Sequence, residues 1–123
     1  MVKLDKLFSP IKVGNMQLKN RIVMAAMSVS MADNGKITDA YRQFYIERAK
    51  GGAGLIIMTL MVHYYHKLWN DQKERLMMPL IWKDEYVPPF KSLMKAMHDA
   101  GSKQAAQLAA FPDYQRDEKT FGL

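Results

Sequence analysis

Gln43-Phe44-Tyr45-Ile46-Glu47-Arg48-Ala49-Lys50, then Gly51-Gly52-Ala53-Gly54, then Leu55-Ile56-Ile57-Met58-Thr59-Leu60-Met61: a helix tail, a glycine hinge and a strand stand in sequence here. Tyr41, Phe44, Tyr45 and Arg48 fall on one face at helical spacing, with Ala49 beside them. Gly51 or Gly52 can take the positive φ that closes a helix. The run from Leu55 to Met61 is too short for a helix, almost wholly apolar and bounded by glycine, which predicts a strand. It lacks polar/apolar alternation, so both of its faces need cover. That is the pattern of a parallel strand inside an α/β protein.

Working outward, Thr38 suits the N-cap of the preceding helix, and Asp39 suits its positive end. Upstream, Leu7-Phe8-Ser9-Pro10 reads as a turn. Ile11-Lys12-Val13 and Met16-Gln17-Leu18 flank Gly14-Asn15, which predicts a short hairpin. Ile22 to Met27 reads as a first buried strand, and Ser28 to Lys36 as a loop turning at Asp33-Asn34-Gly35. Downstream, Val62 to Trp82 is a long connection whose centre, Lys67 to Arg75, is polar and without period. Asp84 and Pro88-Pro89 mark a second helix start. Phe90, Leu93, Met94 and Met97 follow at i, i+3, i+4, i+7, and Gly101 stops the helix. Lys103 to Leu108 reads as a third strand, and residues 109–123 as a polar tail.

The order hairpin, β, α, β, α, β implies right-handed crossovers, which put both helices on one face of the sheet. The other face carries apolar side chains for which this stretch supplies no cover, and two strand edges are left open. A doubly wound nucleotide fold wants glycines after the first strand, and Ser28-Val29-Ser30-Met31-Ala32 has none. The pattern predicts an α/β chain forming part of a (β/α)8 TIM barrel, an N-terminal hairpin followed by about three β-units.

Composition narrows the function classes. The 123 residues suit one domain, and no apolar run is long enough to span a membrane. The absence of cysteine excludes disulfides and thiolate metal sites within the chain, and fits a reducing cytoplasm. The net charge of +6 is spread over single Lys and Arg residues. It reads as a solvated surface rather than a nucleic-acid footprint, which is a clustered patch. His63 and His66 stand at i, i+3, with Asp71 nearby. They allow a metal site, an aromatic-and-histidine border to a ligand pocket, or plain surface packing, and the last asks least of them.

Several joined motifs carry a resemblance. Leu7-Phe8-Ser9-Pro10-Ile11-Lys12-Val13-Gly14-Asn15, Leu18-Lys19-Asn20-Arg21-Ile22-Val23 and Ala26-Met27 are similar to the opening of the Old Yellow Enzyme family. So are Arg48 to Ile57, Asp84-Glu85, His98-Asp99-Ala100-Gly101 and Gln107-Leu108, in family order and spacing. The resemblance implies that residues 1–108 are the N-terminal part of an FMN-binding (β/α) barrel, followed by a divergent tail at 109–123. It implies FMN as cofactor, NAD(P)H as reductant and an enone or enoyl substrate, with hydride passing through the flavin to an activated C=C bond. By the same resemblance Ala26, Met27 and Ser28 lie against the flavin at the end of the first strand. Leu60 matches a small residue at the end of the second, and Gln107 matches a glutamine that hydrogen-bonds the flavin pyrimidine.

There are departures. The family usually has proline at Ala26. Leu60 is bulkier than the usual glycine or alanine, a size that would obstruct the isoalloxazine. Ala109-Ala110-Phe111-Pro112-Asp113 replaces a His-Ala-Gly-Arg-like continuation. The family's His/Asn substrate anchor, its proton-donating tyrosine and its phosphate-binding loops come later than this stretch. Three readings result: a fragment or subunit of an ene-reductase, completed by the missing barrel half from the same or another chain, or as a homo-oligomer; a truncated non-catalytic relative acting as an interaction subunit; and a basic module binding an anionic ligand or nucleic acid.

Overall fold

The computed structural model describes residues 4–64 and 77–111. A short helix α1 (Asp5–Phe8) precedes the hairpin of β1 (Ile11–Val13) and β2 (Met16–Leu18). The Leu7-Phe8-Ser9-Pro10 turn of the sequence reading is the end of this helix, which stops at Ser9. Gly14 takes φ +56° to close the hairpin. The main sheet is parallel, with β3 (Val23–Met24), β6 (Leu55–Tyr64) and β7 (Lys103–Phe111) in the order β3-β6-β7. Between β3 and β6 lie a two-strand ribbon, β4 (Ala32–Asp33) with β5 (Lys36–Ile37), and helix α2 (Asp39–Lys50). A 3₁₀ turn (Asp84–Tyr86) leads into helix α3 (Val87–Asp99).

Four sequence boundaries move. The first strand is two residues long, not six, and Val23 is 47% exposed. It pairs only with β6, and no described strand flanks its other edge. The Ser28–Lys36 loop contains the β4–β5 ribbon, turned by Asn34 (φ 48°) and Gly35 (φ 80°), both left-handed as a tight hairpin turn requires. The second strand runs on to Tyr64 past a bulge between Met61 and His63. The third strand runs to Phe111, three residues beyond the sequence boundary at Leu108. The centre of the Val62–Trp82 connection, with His66 and Asp71, lies outside the described residues, as do residues 112–123.

Local chemistry explains the elements. The Thr38 hydroxyl accepts the Tyr41 N–H at 3.2 Å and donates to the Met31 carbonyl, so one side chain caps α2 and anchors the loop before it. At the other end Gly52, at φ +103°, turns the chain toward β6. Buried Asn20 secures that turn. Its amide donates to the Gly52 carbonyl at 2.7 Å, and its carbonyl oxygen accepts the Ile22 N–H at 3.1 Å. Gly54 is glycine because a Cβ there would stand 2.9 Å from the Asn20 backbone carbonyl oxygen. Prolines in its first turn start α3, and Gly101 at φ +77° follows its end.

Both helices lie on one side of the sheet, as right-handed crossovers dictate, and they touch each other. The Arg42 guanidinium crosses from α2 to donate to the Pro89 carbonyl and the Ser92 hydroxyl on α3. Tyr41, Tyr45 and Ala49 of α2, and Phe90, Leu93 and Met97 of α3, bury against Ile56, Met58 and Leu60 of β6. The architecture is therefore a partial (β/α) barrel: three parallel strands backed by two helices, with the opposite side of the sheet facing inward.

Candidate functional site

Strand alternation sorts β6 into two sets. Ile56, Met58 and Leu60 point to the helices. Thr59, one residue out of phase, points inward, where its hydroxyl lies 3.4 Å from the Gln107 side-chain oxygen. The register confirms the pairing, because Thr59 stands opposite Gln107 across β6 and β7. Thr59 is 8% exposed, whereas Gln107 is exposed on the inner face. A polar group carried on an open sheet face, near the C-terminal ends of parallel strands, is the usual placing of a barrel site.

The five residues singled out from sequence separate by face. Ala26, Met27 and Ser28 follow β3 at its C-terminal end; Ala26 is half-buried, and Met27 and Ser28 are exposed. Gln107 lies on the inner face of β7. Leu60 does not join them. It is 6% exposed and lines an outer cavity of about 400 Å³ with Met58, Ile81, Phe90 and Met94. Its bulk therefore lies between sheet and helix, not on the inner face. Sequence reasoning passed over Thr59. The signal was present, since Thr59 is the only polar residue in the run Leu55 to Met61.

The upper end of β6 is fixed from the side that β3 leaves free. The Met61 N–H donates to the Pro79 carbonyl at 2.9 Å, and the Ile81 N–H donates to the Met61 carbonyl at 3.0 Å. The Leu80 N–H donates to the Gly35 carbonyl, and the Ala32 N–H to the Met77 carbonyl. Residues 77–81 thus tie the strand end to the β4–β5 ribbon and hold the rim on which Ser28 and Gln107 stand. Two features bear on other chemistries. Among the described residues, no group of three or more His, Cys, Asp or Glu side chains gathers to hold a metal. No described helix is long and apolar enough to cross a membrane.

A parallel strand set with one face buried and the other open, and polar groups at its C-terminal rim, is a segment of a (β/α) barrel. The chain belongs to the NADH:flavin oxidoreductase / NADH oxidase family, whose model matches residues 6–121. It is 39% identical over 106 residues to an NADPH dehydrogenase of Bacillus subtilis, covering 85% of this chain and 30% of that protein. It is 36% identical over 102 residues to a metal reductase of Desulforamulus reducens, covering 83% of this chain and 14% of that one. Among solved structures, a variant of NCR from Zymomonas mobilis superposes with a TM-score of 0.72 at 32% identity, over 88% of this chain and 33% of that chain. The Old Yellow Enzyme from Pichia sp. AKU4542 gives 0.69 at 28% identity, over 84% and 26%. The chain thus spans a third or less of the length of these relatives.

Proposed function

We propose that this chain supplies the first β-units of an FMN-dependent ene-reductase barrel, and that the remaining units come from the same polypeptide or from another chain. The observation that carries this reading is the open inner face, with the Gln107 amide exposed over a buried Thr59. The residues present fit one edge of a flavin. Gln107 offers an amide to the pyrimidine, and Ser28 offers an exposed hydroxyl at the neighbouring strand end. Ala26 and Met27 supply small and apolar contact beside them. Leu60 supports the strand from behind.

The chemistry that FMN supplies when bound is hydride transfer between NAD(P)H and the activated C=C bond of an enone or enoyl compound. This chain's part is to hold the ring and to exclude water from one side of it. In the family the substrate anchor, the proton donor and the phosphate loops come later than this stretch. They belong to the completing half.

The test is assembly. The chain is mixed with FMN and with a chain carrying the later strands of the 39%-identical Bacillus subtilis relative. The expected result is a stoichiometric complex that retains flavin through gel filtration and bleaches when NADPH is added without oxygen. Association without flavin uptake would instead establish the non-catalytic interaction subunit. Absence of both would overturn the barrel-completion reading.

A further inference from the structure

We infer that Thr59 is the positioning residue that sets which end of the Gln107 amide faces the ligand. Three side chains of polar residues are buried among those described: Asn20, Thr59 and Ser102. Asn20 is held by the Gly52 carbonyl and the Ile22 N–H, and Ser102 donates to the Lys103 carbonyl. The partner of Thr59 is Gln107, 3.4 Å away on the adjacent strand. The atom facing Thr59 is the Gln107 Oε1, which carries no hydrogen, so the threonine hydroxyl is the donor. An amide whose oxygen is engaged below must present its NH2 group above, toward the open inner face.

This arrangement selects ligand chemistry. A face presenting N–H donors accepts a carbonyl or an unprotonated ring nitrogen, and the reversed amide would accept an imide N–H instead. Thr59 as a residue is 8% exposed, and a buried donor without its acceptor is costly. The 3.4 Å separation is long for a bond between oxygens, which leaves room for the pair to tighten when a ligand draws on the amide. The inference rests on the reading of Gln107 as a ligand contact, but the orientation of its amide is measurable without any ligand.

The experiment uses the full 123-residue chain, labelled with 15N, and its Thr59→Val and Thr59→Ser variants. The Gln107 side-chain NH2 resonances are assigned from Gln107→Ala. The expected result is a pair of resolved, motionally restricted NH2 signals with weak Overhauser contacts to the Thr59 side chain. They should collapse toward solvent-exposed values in Thr59→Val and return in Thr59→Ser. Strong contacts between the NH2 protons and the Thr59 methyl would show the reversed amide and overturn the inference, as would signals unchanged in Thr59→Val. Circular dichroism confirms that each variant folds. In FMN titrations, Thr59→Val should weaken binding about five- to tenfold, and should have no further effect in a Gln107→Ala background. Equal weakening in both backgrounds would also overturn it. If the wild-type chain and its assembly take up no FMN, the proposed function fails while the amide signals still decide the role of Thr59.

Discussion

Tyr41 and Tyr45 of α2 are fully buried, one turn apart, with ring centroids 4.8 Å from each other. Neither hydroxyl makes a hydrogen bond of good geometry among the described residues, and each has the other as a polar neighbour. Burial raises both phenol pKa values, that of Tyr41 the further. The sign of the pH effect follows. Below the unfolded phenol value of about 10, both states keep the protons, and stability does not depend on these groups. Above it the unfolded chain ionises while the folded chain does not, so stability falls by up to about 1.4 kcal/mol per pH unit for each tyrosine. Tyr41→Phe removes a buried hydroxyl that makes no hydrogen bond of good geometry among the described residues. At neutral pH it should leave stability unchanged or raise it by up to about 1 kcal/mol, and it should flatten the alkaline fall. Urea midpoints at pH 8 and pH 11 check both parts. A loss above about 1 kcal/mol at pH 8 would show that the hydroxyl has a partner.

Among the elements, the β4–β5 ribbon and the β1–β2 hairpin permit a controlled comparison. Gly14 and Gly35 both have positive φ, so alanine is strained at either. At Gly14 an added Cβ meets nothing within 4 Å. At Gly35 it would stand 2.7 Å from the Leu80 Cγ, and Leu80 is held in the core with its N–H on the Gly35 carbonyl. Gly14→Ala should cost about 1 kcal/mol, the backbone cost alone, and Gly35→Ala about 2–4 kcal/mol, with side-chain displacement added. Thermal midpoints of the two variants test the difference, and equal midpoints would mean that Leu80 moves freely.

The same elements show what the sequence could tell. Helix α2, helix α3 and β6 were legible, because each buries a continuous apolar face and is bounded by Thr38, by prolines or by glycines. The β4–β5 ribbon was not, because strands of two residues carry no periodicity; Asn34-Gly35 was the available sign of a hairpin. At the candidate site Gln107 was reached by resemblance. The face on which Leu60 sits was fixed only by its phase relative to Thr59, and that requires knowing which side the helices cover.

For the whole molecule, the decisive quantity is apolar surface left in water. Val23 is 47% exposed on β3 and Leu108 59% exposed on β7, the two outer strands of the sheet. Leu108 pairs with Leu60 in register and so lies on the helix side, where a further helix would cover it in a longer barrel. Val23 pairs with Leu55 across the inner face. Both stand on edge strands with outer sides unpaired among the described residues, and apolar side chains on an open strand edge invite pairing with another chain. The isolated chain should therefore bind an apolar dye and self-associate as concentration rises. Leu108 is mostly exposed, so Leu108→Lys should change stability by no more than about 0.5 kcal/mol. It should nevertheless lower dye fluorescence and shift sedimentation toward monomer. It should also weaken assembly with the completing half, because a lysine would then be carried into an apolar interface. If Leu108→Lys instead destabilised the isolated chain by several kcal/mol while dye binding stayed the same, Leu108 would already be covered from within, and a three-strand segment that relies on further units to shield it would be the wrong description of this fold.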